Sequence, residues 1–84
     1  MLDDSIVKMV EVVAKAICDY PNDVKVKEVP GTISSIIDVR VNKADLGKMI
    51  GKDGQTAHSI RRIIFAASFK TKKRYNLDIV AEPS

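Results

Sequence analysis

The sequence predicts an α+β domain in which three helices cover one face of a three-stranded mixed sheet. Helical periodicity marks residues 4–19 and the stretch after residue 43, whereas alternation of apolar and polar residues marks residues 24–41 and 75–81. The element order is therefore α-β-β-α-α-β. The helical crossover favours a parallel pair for the last two strands, and the short turn between the first two favours an antiparallel hairpin.

The first helix is predicted over residues 4–19. Its apolar residues recur at spacings of three and four, as on one face of a helix: Ile6, Val10, Val13 and Ile17. Asp3, Asp4 or Ser5 can cap the first turn. Pro21 ends the helix because proline cannot continue it.

The hairpin is predicted from two alternating segments, residues 24–29 and 33–41, joined by the turn at residues 30–32. Alternation in the second segment assigns five side chains to one face: Ile33, Ser35, Ile37, Val39 and Val41. The other face receives Ser34, Ile36, Asp38 and Arg40. The last strand is predicted over residues 75–81, with Leu77, Ile79 and Ala81 on one face.

Two helices are predicted between the second and third strands, over residues 44–50 and 55–70. Asn42 is placed to cap the first, with Asp45 three residues later in a capping-box-like position. The second carries an apolar stripe: Ala57, Ile60, Ile64 and Ala67. The short segment between the two helices, residues 51–54, contains two glycines.

The charge is unevenly distributed along the chain. The whole chain of 84 residues has a net charge of +3, but residues 40–74 contain ten basic and two acidic side chains. Such a block favours a polyanionic partner. The length predicts one domain, residues 1–84, with a marginal core.

Several classes of protein are disfavoured by composition. Cys18 is the single cysteine, which excludes an internal disulfide, and its apolar helical setting predicts a buried side chain. Apolar runs are too short for a membrane span, and an acidic start to the chain argues against a signal peptide, so we expect a cytoplasmic protein. The lone His58 has no evident catalytic or ligating partner, so we expect no enzyme, no cofactor, no metal site and no small-molecule substrate.

The most informative motif is Gly51-Lys52-Asp53-Gly54. Neither glycine has a Cβ, so the backbone there can approach a ligand closely. In this element order, Ile50 followed by the Gly-Lys-Asp-Gly string (the GKDG loop) resembles the KH domain of the prokaryotic type, type II. The strings over residues 16–24, 45–57 and 60–64 resemble the short stand-alone KH proteins of bacteria, the KhpA-like family. The resemblance covers about residues 3–81.

The resemblance implies binding of about four nucleotides of single-stranded RNA, with the loop clamping the backbone and a groove between the two helices and a sheet edge receiving the bases. Lys52 supplies positive charge, whereas Asp53 departs from a doubly basic loop, a departure that Lys48 can offset. The helix that starts near Gln55 directs backbone N–H groups at the loop. The implied RNA-binding residues are Lys48, Ile50, Gly51, Lys52, Asp53, Gly54, Gln55, Thr56, Ala57 and Arg61. Further candidates for the groove are Leu46, Ile60, Ile36 and Arg40, and Arg62 is a further candidate for phosphate contact.

The resemblance further implies an RNA chaperone or post-transcriptional regulator with a role in cell shape. It also implies a homodimer, or a heterodimer with a larger KH-containing protein linked to cell elongation, and Ile63 is a candidate for the partner surface. The aromatic residues are too scattered for a stacking platform and are predicted to be packing residues: Tyr20, Phe65, Phe69 and Tyr75.

Alternatives remain open at this point. The fold can serve mainly as a protein-interaction and dimerisation module, which its small size favours. Residues 44–70 also resemble a DNA-binding helix-turn-helix, but the hairpin and the last strand argue against that alternative. The two glycines can, finally, be no more than a helix C-cap and a turn.

Overall fold

A computed structural model describes residues 5–82, and these residues form three α-helices and three β-strands around one mixed sheet. The elements are α1 (Ser5–Ile17), β1 (Lys25–Val29), β2 (Ser34–Val41), α2 (Leu46–Ile50), α3 (Gln55–Thr71) and β3 (Arg74–Ala81). Strand β2 lies in the centre, antiparallel to β1 and parallel to β3. The predicted α+β fold class and element order are confirmed.

The core lies between the helices and one face of the sheet. Side chains from α1, β2, α2, α3 and β3 meet there, including Ile6, Val10, Ala14, Ile37, Val39, Met49, Ile60, Ile64 and Leu77. The other face of the sheet, here called the outer face, carries polar side chains, including Lys25, Lys27, Arg40, Asn76 and Asp78. This division reflects the alternation of strand side chains.

The start of β2 differs from the prediction. Alternation assigns Ile33 to the inward face of the strand, but its side chain is 83% exposed and β2 begins at Ser34. The first register pair of the parallel ladder is Ser34 with Arg74, so Ile33 precedes the paired strand and nothing directs its side chain inward. The turn before it requires a glycine, because a Cβ on Gly31 would lie 2.3 Å from the carbonyl oxygen of Ser34.

The end of α1 also differs from the prediction. The helix stops at Ile17, two residues early, and residues 21–23 form a 3-10 turn before β1 begins at Lys25. Cys18 lies just beyond the helix and is buried, as predicted, with its N–H bonded to the carbonyl oxygen of Ala14 at 2.9 Å. The proposed caps Asp3 and Asp4 fall outside the described residues.

The predicted capping box at α2 is wrong in one half. Asn42 does cap, since its Oδ1 accepts from the N–H of Ala44 at 2.9 Å. Asp45, however, is fully buried and accepts the backbone N–H groups of Asp19 at 2.9 Å and Tyr20 at 3.0 Å. A 3-10 turn over Lys43–Asp45 precedes α2, so Asp45 connects the end of α1 to the start of α2.

Candidate nucleic-acid interface

The GKDG loop turns the chain sharply from α2 into α3. Gly51 has φ +78° and Gly54 has φ +74°, and Lys52–Gly54 form a short 3-10 turn between them. The N–H of Gly51 donates to the Gly47 carbonyl at 2.8 Å, and the N–H of Gly54 donates to the Gly51 carbonyl at 3.1 Å. The first bond closes α2, and the second closes the turn of the loop.

Gly51 is required by space as well as by backbone conformation. A Cβ there would lie 2.2 Å from Oγ1 and 2.8 Å from the backbone nitrogen of Thr56, in the first turn of α3. A Cβ on Gly54 would meet nothing within 4 Å, so only its positive φ favours glycine. The two glycines therefore have different structural roles, Gly51 as the C-cap of α2 and Gly54 as the N-cap of α3.

Asp53 adopts the left-handed conformation, with φ +55° and ψ +27°. Among non-glycine residues, aspartate and asparagine tolerate this region best because their short polar side chains bond locally. Its presence in a loop expected to be doubly basic therefore has a conformational explanation. Its side chain is exposed, as is that of Lys52.

The two lysines near the loop are in different electrostatic settings. Lys52 is exposed, and among residues 5–82 the structure gives it no ion-pair partner. Lys48 pairs with Asp19, whose carboxylate accepts a hydrogen bond from Nζ. This bond raises the pKa of Lys48, so its charge persists but is already partly compensated. Lys52 is thus the more available cation.

The surface beside the loop holds only part of the predicted set. Ile50 is 40% exposed, Gln55 is exposed, and Thr56 and Leu46 are half-buried. Two other candidates lie in the interior instead: Ala57 is 4% exposed and Ile60 is 3% exposed. We therefore leave both out of the contact surface, because they face the core from the buried side of α3.

The start of α3 adds to the positive potential of the loop. The helix has 17 residues, and its N-cap residue is Gly54, which offers no side chain to bond the first N–H groups. The N-terminal end of a helix carries a partial positive charge and attracts anions. This end of α3 lies directly after Lys52, so the loop and the helix present positive charge together.

A groove runs between the exposed side of α3 and the first residues of β3. It has a volume of about 810 Å³ and is here called the aromatic groove, lined mainly by His58, Arg61, Arg62, Phe65, Phe69 and Tyr75. The rings of Phe65 and Phe69 meet edge to face, with centroids 5.0 Å apart. Arg61 therefore lies in this groove, beyond the loop, together with Arg62.

The prediction that the aromatic residues pack in the interior is wrong for the two phenylalanines and for Tyr20, which is 51% exposed. Phe65 is 65% exposed and Phe69 is 68% exposed, and Tyr75 lines the same groove from β3. A signal was present in the sequence, since residues 58, 62, 65 and 69 are spaced by four, three and four and lie on one side of a helix. The core stripe at residues 57, 60 and 64 masked this second stripe.

Two further groove candidates lie elsewhere. Ile36 and Arg40 are on the outer face of the sheet, where Arg40 bonds Asp38 at 3.1 Å and contacts Glu82 at 3.5 Å. The sheet contributes to the aromatic groove through β3 instead, with Tyr75, Asn76 and Leu77. Both faces of β2 carry an isoleucine, so the sequence alone does not show which face is exposed. This explains why Ile36 and Arg40 were expected at the groove.

The described part of the chain offers no cluster of three or more histidine, cysteine or acidic side chains that could bind a metal ion. Among residues 5–82, no helix combines the length and apolar character that crossing a bilayer requires. Burial raises the pKa of the Cys18 thiol, and the nearby Asp45 carboxylate adds to this effect, so this cysteine is a weak nucleophile.

Comparison with solved structures shows the fold. Two crystal structures of Era match with a TM-score of 0.57 and 19% identity: one a variant from Aquifex aeolicus bound to GDP and aluminium fluoride, the other in complex with MgGDPNP and a segment of 16S ribosomal RNA. They cover 90% and 95% of this chain, but this chain spans only 30% and 31% of theirs.

Comparison with known sequences shows the family. The family model described as the KhpA/KhpB KH domain matches residues 7–79. "RNA-binding protein KhpA" of Clostridium perfringens is 41% identical over 87% of this chain and 97% of its own length. The protein of the same name from Halalkalibacterium halodurans is 43% identical over 86% and 95%. Both relatives are named as RNA-binding proteins. The chain therefore belongs to the KhpA/KhpB family of KH-domain proteins.

Proposed function

We propose that this protein binds single-stranded RNA and that its GKDG loop clamps the sugar-phosphate backbone. The observation that carries the proposal is the loop geometry. Gly51 and Gly54 hold the backbone at positive φ, which leaves the exposed Lys52 beside the uncapped start of α3. A phosphate there would meet a full positive charge and a helix N-terminus together.

The proposed contact surface extends from the loop onto both flanking helices. Lys52 and the backbone of residues 51–54 contact phosphate, and Gln55 and Thr56 offer polar groups at the start of α3. Ile50, which is 40% exposed, provides an apolar surface for a base. Lys48 adds positive charge once it exchanges Asp19 for a phosphate. The names of the curated relatives support RNA as the ligand.

The proposal is tested by comparing two charge reversals of equal size. Lys52→Asp places a negative charge in the loop, whereas Lys27→Asp places it on the outer face of the sheet, away from the loop. Binding of a single-stranded RNA pool is measured by fluorescence anisotropy at two salt concentrations, after circular dichroism confirms that both variants fold. We expect Lys52→Asp to weaken binding at least tenfold and Lys27→Asp to weaken it less than threefold.

Equal losses for the two variants would mean that net charge, and not the loop, governs binding. Binding that does not depend on salt would also contradict the proposal, because phosphate contacts release counterions. Preference for duplex DNA over single-stranded RNA would instead favour the helix-turn-helix alternative.

We extend the proposal to the cellular level. The protein acts in the cytoplasm as an RNA chaperone or post-transcriptional regulator that affects cell shape, and residues 1–84 act as one KH domain. Transcripts that crosslink to the wild-type protein, but not to Lys52→Asp, would identify its targets. Unchanged transcript levels and cell shape after the gene is deleted would contradict this extension.

A second candidate function is pairing, with a second copy or with a larger KH-containing protein. Ile63 favours it, because this isoleucine is 48% exposed on α3 and does not line the aromatic groove. Large contiguous apolar patches mark protein interfaces, and we propose that Ile63 belongs to such a patch. If the chain pairs through it, Ile63→Glu will lower the mass measured by sedimentation equilibrium while RNA binding by the loop persists. A mass that stays monomeric at every concentration, with no larger KH-containing protein bound, would rule pairing out.

A further inference from the structure

Strand β1 forms one edge of the sheet. It pairs with β2 over Lys25–Val29, and among residues 5–82 no other strand pairs with its far side. Alternate residues of an edge strand direct their backbone N–H and C=O groups away from the sheet, where these groups can bond an added strand. The five residues of β1 offer about 17 Å of such an edge, which is long enough for a short extended segment.

Two lysines line this edge on the outer face of the sheet. Lys25 and Lys27 are exposed, and because they are two residues apart they lie on the same face, about 7 Å from each other along the strand. Within residues 5–82 neither lysine has an ion-pair partner. Glu28, the acidic residue of β1, lies on the opposite face and pairs at 3.8 Å with Lys73, in the connector between α3 and β3. Both lysines are therefore available to an acidic partner.

The carboxylates nearest to these lysines on the outer face are already engaged. Lys27 lies opposite Asp38 in the register, but Asp38 is 7% exposed and accepts a hydrogen bond from Arg40 at 3.1 Å. Arg40 also contacts Glu82 at 3.5 Å. These three residues line a groove of about 320 Å³ together with Lys25 and Lys27. Because β1 lies outside β2, a side chain that approaches from the edge meets the lysines first.

A second copy of this chain and an RNA strand are both less suited to this edge. An antiparallel pairing of β1 with its own copy over all five residues is centred on Lys27, which places like charges opposite each other. An RNA strand would lay its phosphates along a face that also carries Asp38 and Glu82. A protein segment with acidic side chains at alternate positions matches both the backbone groups and the lysines.

We propose that β1 binds an extended protein segment whose acidic side chains alternate along one face, so that the segment adds a fourth strand to the sheet. Acidic side chains at positions i and i+2 of the segment pair with Lys25 and Lys27, and its backbone bonds that of β1. The site lies at the opposite edge of the sheet from β3 and uses none of the residues proposed to contact RNA. This interaction is therefore additional to RNA binding, and each can exist without the other.

The test uses the peptide Ser-Glu-Val-Glu-Val-Glu-Ser, acetylated and amidated at its ends, in NMR titrations of the whole chain. The matched control is Ser-Val-Glu-Glu-Glu-Val-Ser, which has the same composition and charge without the alternation. We expect the alternating peptide to shift the backbone amide signals of Lys25–Val29. Its dissociation constant should be at least tenfold lower than that of the control peptide.

Charge reversal at the two lysines gives a result that a folding defect cannot imitate. We expect Lys25→Glu with Lys27→Glu to bind the acidic peptide at least tenfold more weakly, but to bind the peptide in which lysine replaces each glutamate. The wild type should show the opposite preference. Lys52→Asp should bind the acidic peptide within threefold of the wild type, because its change lies in the loop. The double variant should lose less affinity for single-stranded RNA than Lys52→Asp does.

Strand addition is separated from simple charge attraction by methylating single backbone nitrogens of the acidic peptide. In an added strand, alternate N–H groups point toward β1 and the others point toward solvent. N-methylation of the central glutamate and N-methylation of a neighbouring valine should therefore differ at least tenfold in their effect on the dissociation constant.

Equal effects of the two methylations, or equal binding of the alternating and control peptides, would overturn the inference and leave only net charge. Signals of β1 that shift with protein concentration alone would assign the edge to a second copy, and signals that shift with single-stranded RNA would assign it to RNA; either result contradicts the proposal. Absence of peptide binding while the loop still binds RNA would remove this inference alone. Absence of RNA binding while the peptide still binds would remove only the proposed function.

Discussion

Asp53 shows how a single residue serves two opposing requirements in the loop. Its φ of +55° favours aspartate or asparagine over basic residues, but its charge repels the phosphate that the loop is proposed to hold. Conformation and ligand affinity are therefore separable at this position, because asparagine satisfies the first requirement without the negative charge.

We predict that Asp53→Asn binds single-stranded RNA about two- to fivefold more tightly than the wild type. The reason is the loss of one repulsive charge, which at a few ångströms in water is worth up to about 1 kcal/mol. Asp78→Asn removes an equal charge from the outer face of the sheet and serves as the control. Anisotropy titrations at constant salt measure both variants, and weaker binding by Asp53→Asn would contradict the prediction.

The three glycines around α2 provide a graded test of backbone geometry. Gly51→Ala combines a positive φ with a 2.2 Å clash against Thr56, so we expect it to lower the free energy of unfolding by at least about 2 kcal/mol. Gly54→Ala suffers only from its positive φ and should cost about 1 kcal/mol.

Gly47 lies within α2, and a Cβ added there would meet nothing within 4 Å, so Gly47→Ala should raise the free energy of unfolding by about 0.5–1 kcal/mol. Urea unfolding followed by circular dichroism gives all three values. A cost at Gly47 equal to that at Gly51 would show that α2 does not tolerate any side chain, and would refute the argument from local space.

The loop could be predicted from the sequence down to single residues, but its electrostatics could not. The glycine spacing indicates the turn, whereas the partner of Lys48 is Asp19, 29 residues away in the chain. A pairing over that distance depends on how α1 packs against α2. The same reasoning explains why the sequence pattern at Asp45 indicates a local capping residue, although its carboxylate acts on distant backbone groups.

At the scale of elements, the short segment between α1 and the 3-10 turn before β1 is bound by Asp45, which precedes α2, and by Lys48, which lies within α2. Asp45 accepts two backbone N–H groups there, and Asp19 in the same segment holds Lys48. The start of α2 is thus connected to the end of α1 by two carboxylates. Asp45, before α2, binds backbone groups after α1, and Asp19, after α1, binds Lys48 in α2. The position of α2, and with it the loop, depends on these contacts.

We predict that Asp19→Asn increases affinity for single-stranded RNA, by about two- to fivefold, because Lys48 loses its partner and its charge becomes available to phosphate. The variant loses the Asp19 hydrogen bond that raises the pKa of Lys48, but an ordinary lysine pKa of about 10.4 still keeps the side chain protonated in the neutral range, so the gain should be the same at pH 6 and pH 8. Glu11→Gln, which removes an equal charge from an ion pair within α1, is the control. A gain that changes strongly between these pH values would exclude Lys48 as its source.

We predict that Asp45→Ala lowers the free energy of unfolding by about 2–4 kcal/mol, because the N–H groups of Asp19 and Tyr20 lose a fully buried, charged acceptor. Cys18, which is buried beside this carboxylate, offers a second measurement. Its alkylation by iodoacetamide is expected to be slow in the wild type and faster in Asp45→Ala. Normal stability in the variant would show that these hydrogen bonds are replaced by others.

The core stripe and the groove stripe of α3 differ in how far each could be predicted from the sequence. The core stripe was predictable because apolar residues at helical spacing indicate burial. The groove stripe was not, since whether an aromatic residue is buried depends on which neighbouring element covers it. In the structure, β3 approaches only one side of Phe65 and Phe69, and both remain largely exposed.

At the scale of the whole molecule, the fold separates two kinds of charged surface. The loop, the aromatic groove and the connector carry mainly positive charge, whereas the outer face of the sheet mixes both signs through Asp38, Arg40 and Glu82. The element order and the sheet topology were predictable because each local pattern agrees with them. The separation of the two charged surfaces could not be predicted in this way, because it depends on the strand register and on the packing of the helices.

We predict that the logarithm of the RNA-binding constant falls linearly with the logarithm of salt concentration, with a slope of about −0.7 for each phosphate neutralised. Lys52→Asp should make this slope less negative by about 0.7 or more, and Lys27→Asp should leave it unchanged. Titrations from low salt to about twice physiological ionic strength measure both. Identical slopes for the two variants would mean that the positive field is not concentrated at the loop.

The parallel pairing of β2 with β3 also determines the order in which the protein can mature. Ser34 pairs with Arg74 and Val41 with Ala81, so each pair joins residues 40 positions apart. During synthesis the hairpin of β1 and β2 can form early, but Ile37 and Val39 lack their neighbours Leu77 and Ile79 until the last strand is made. The sheet that supports α2, α3 and the loop between them is therefore complete only after β3 has been added.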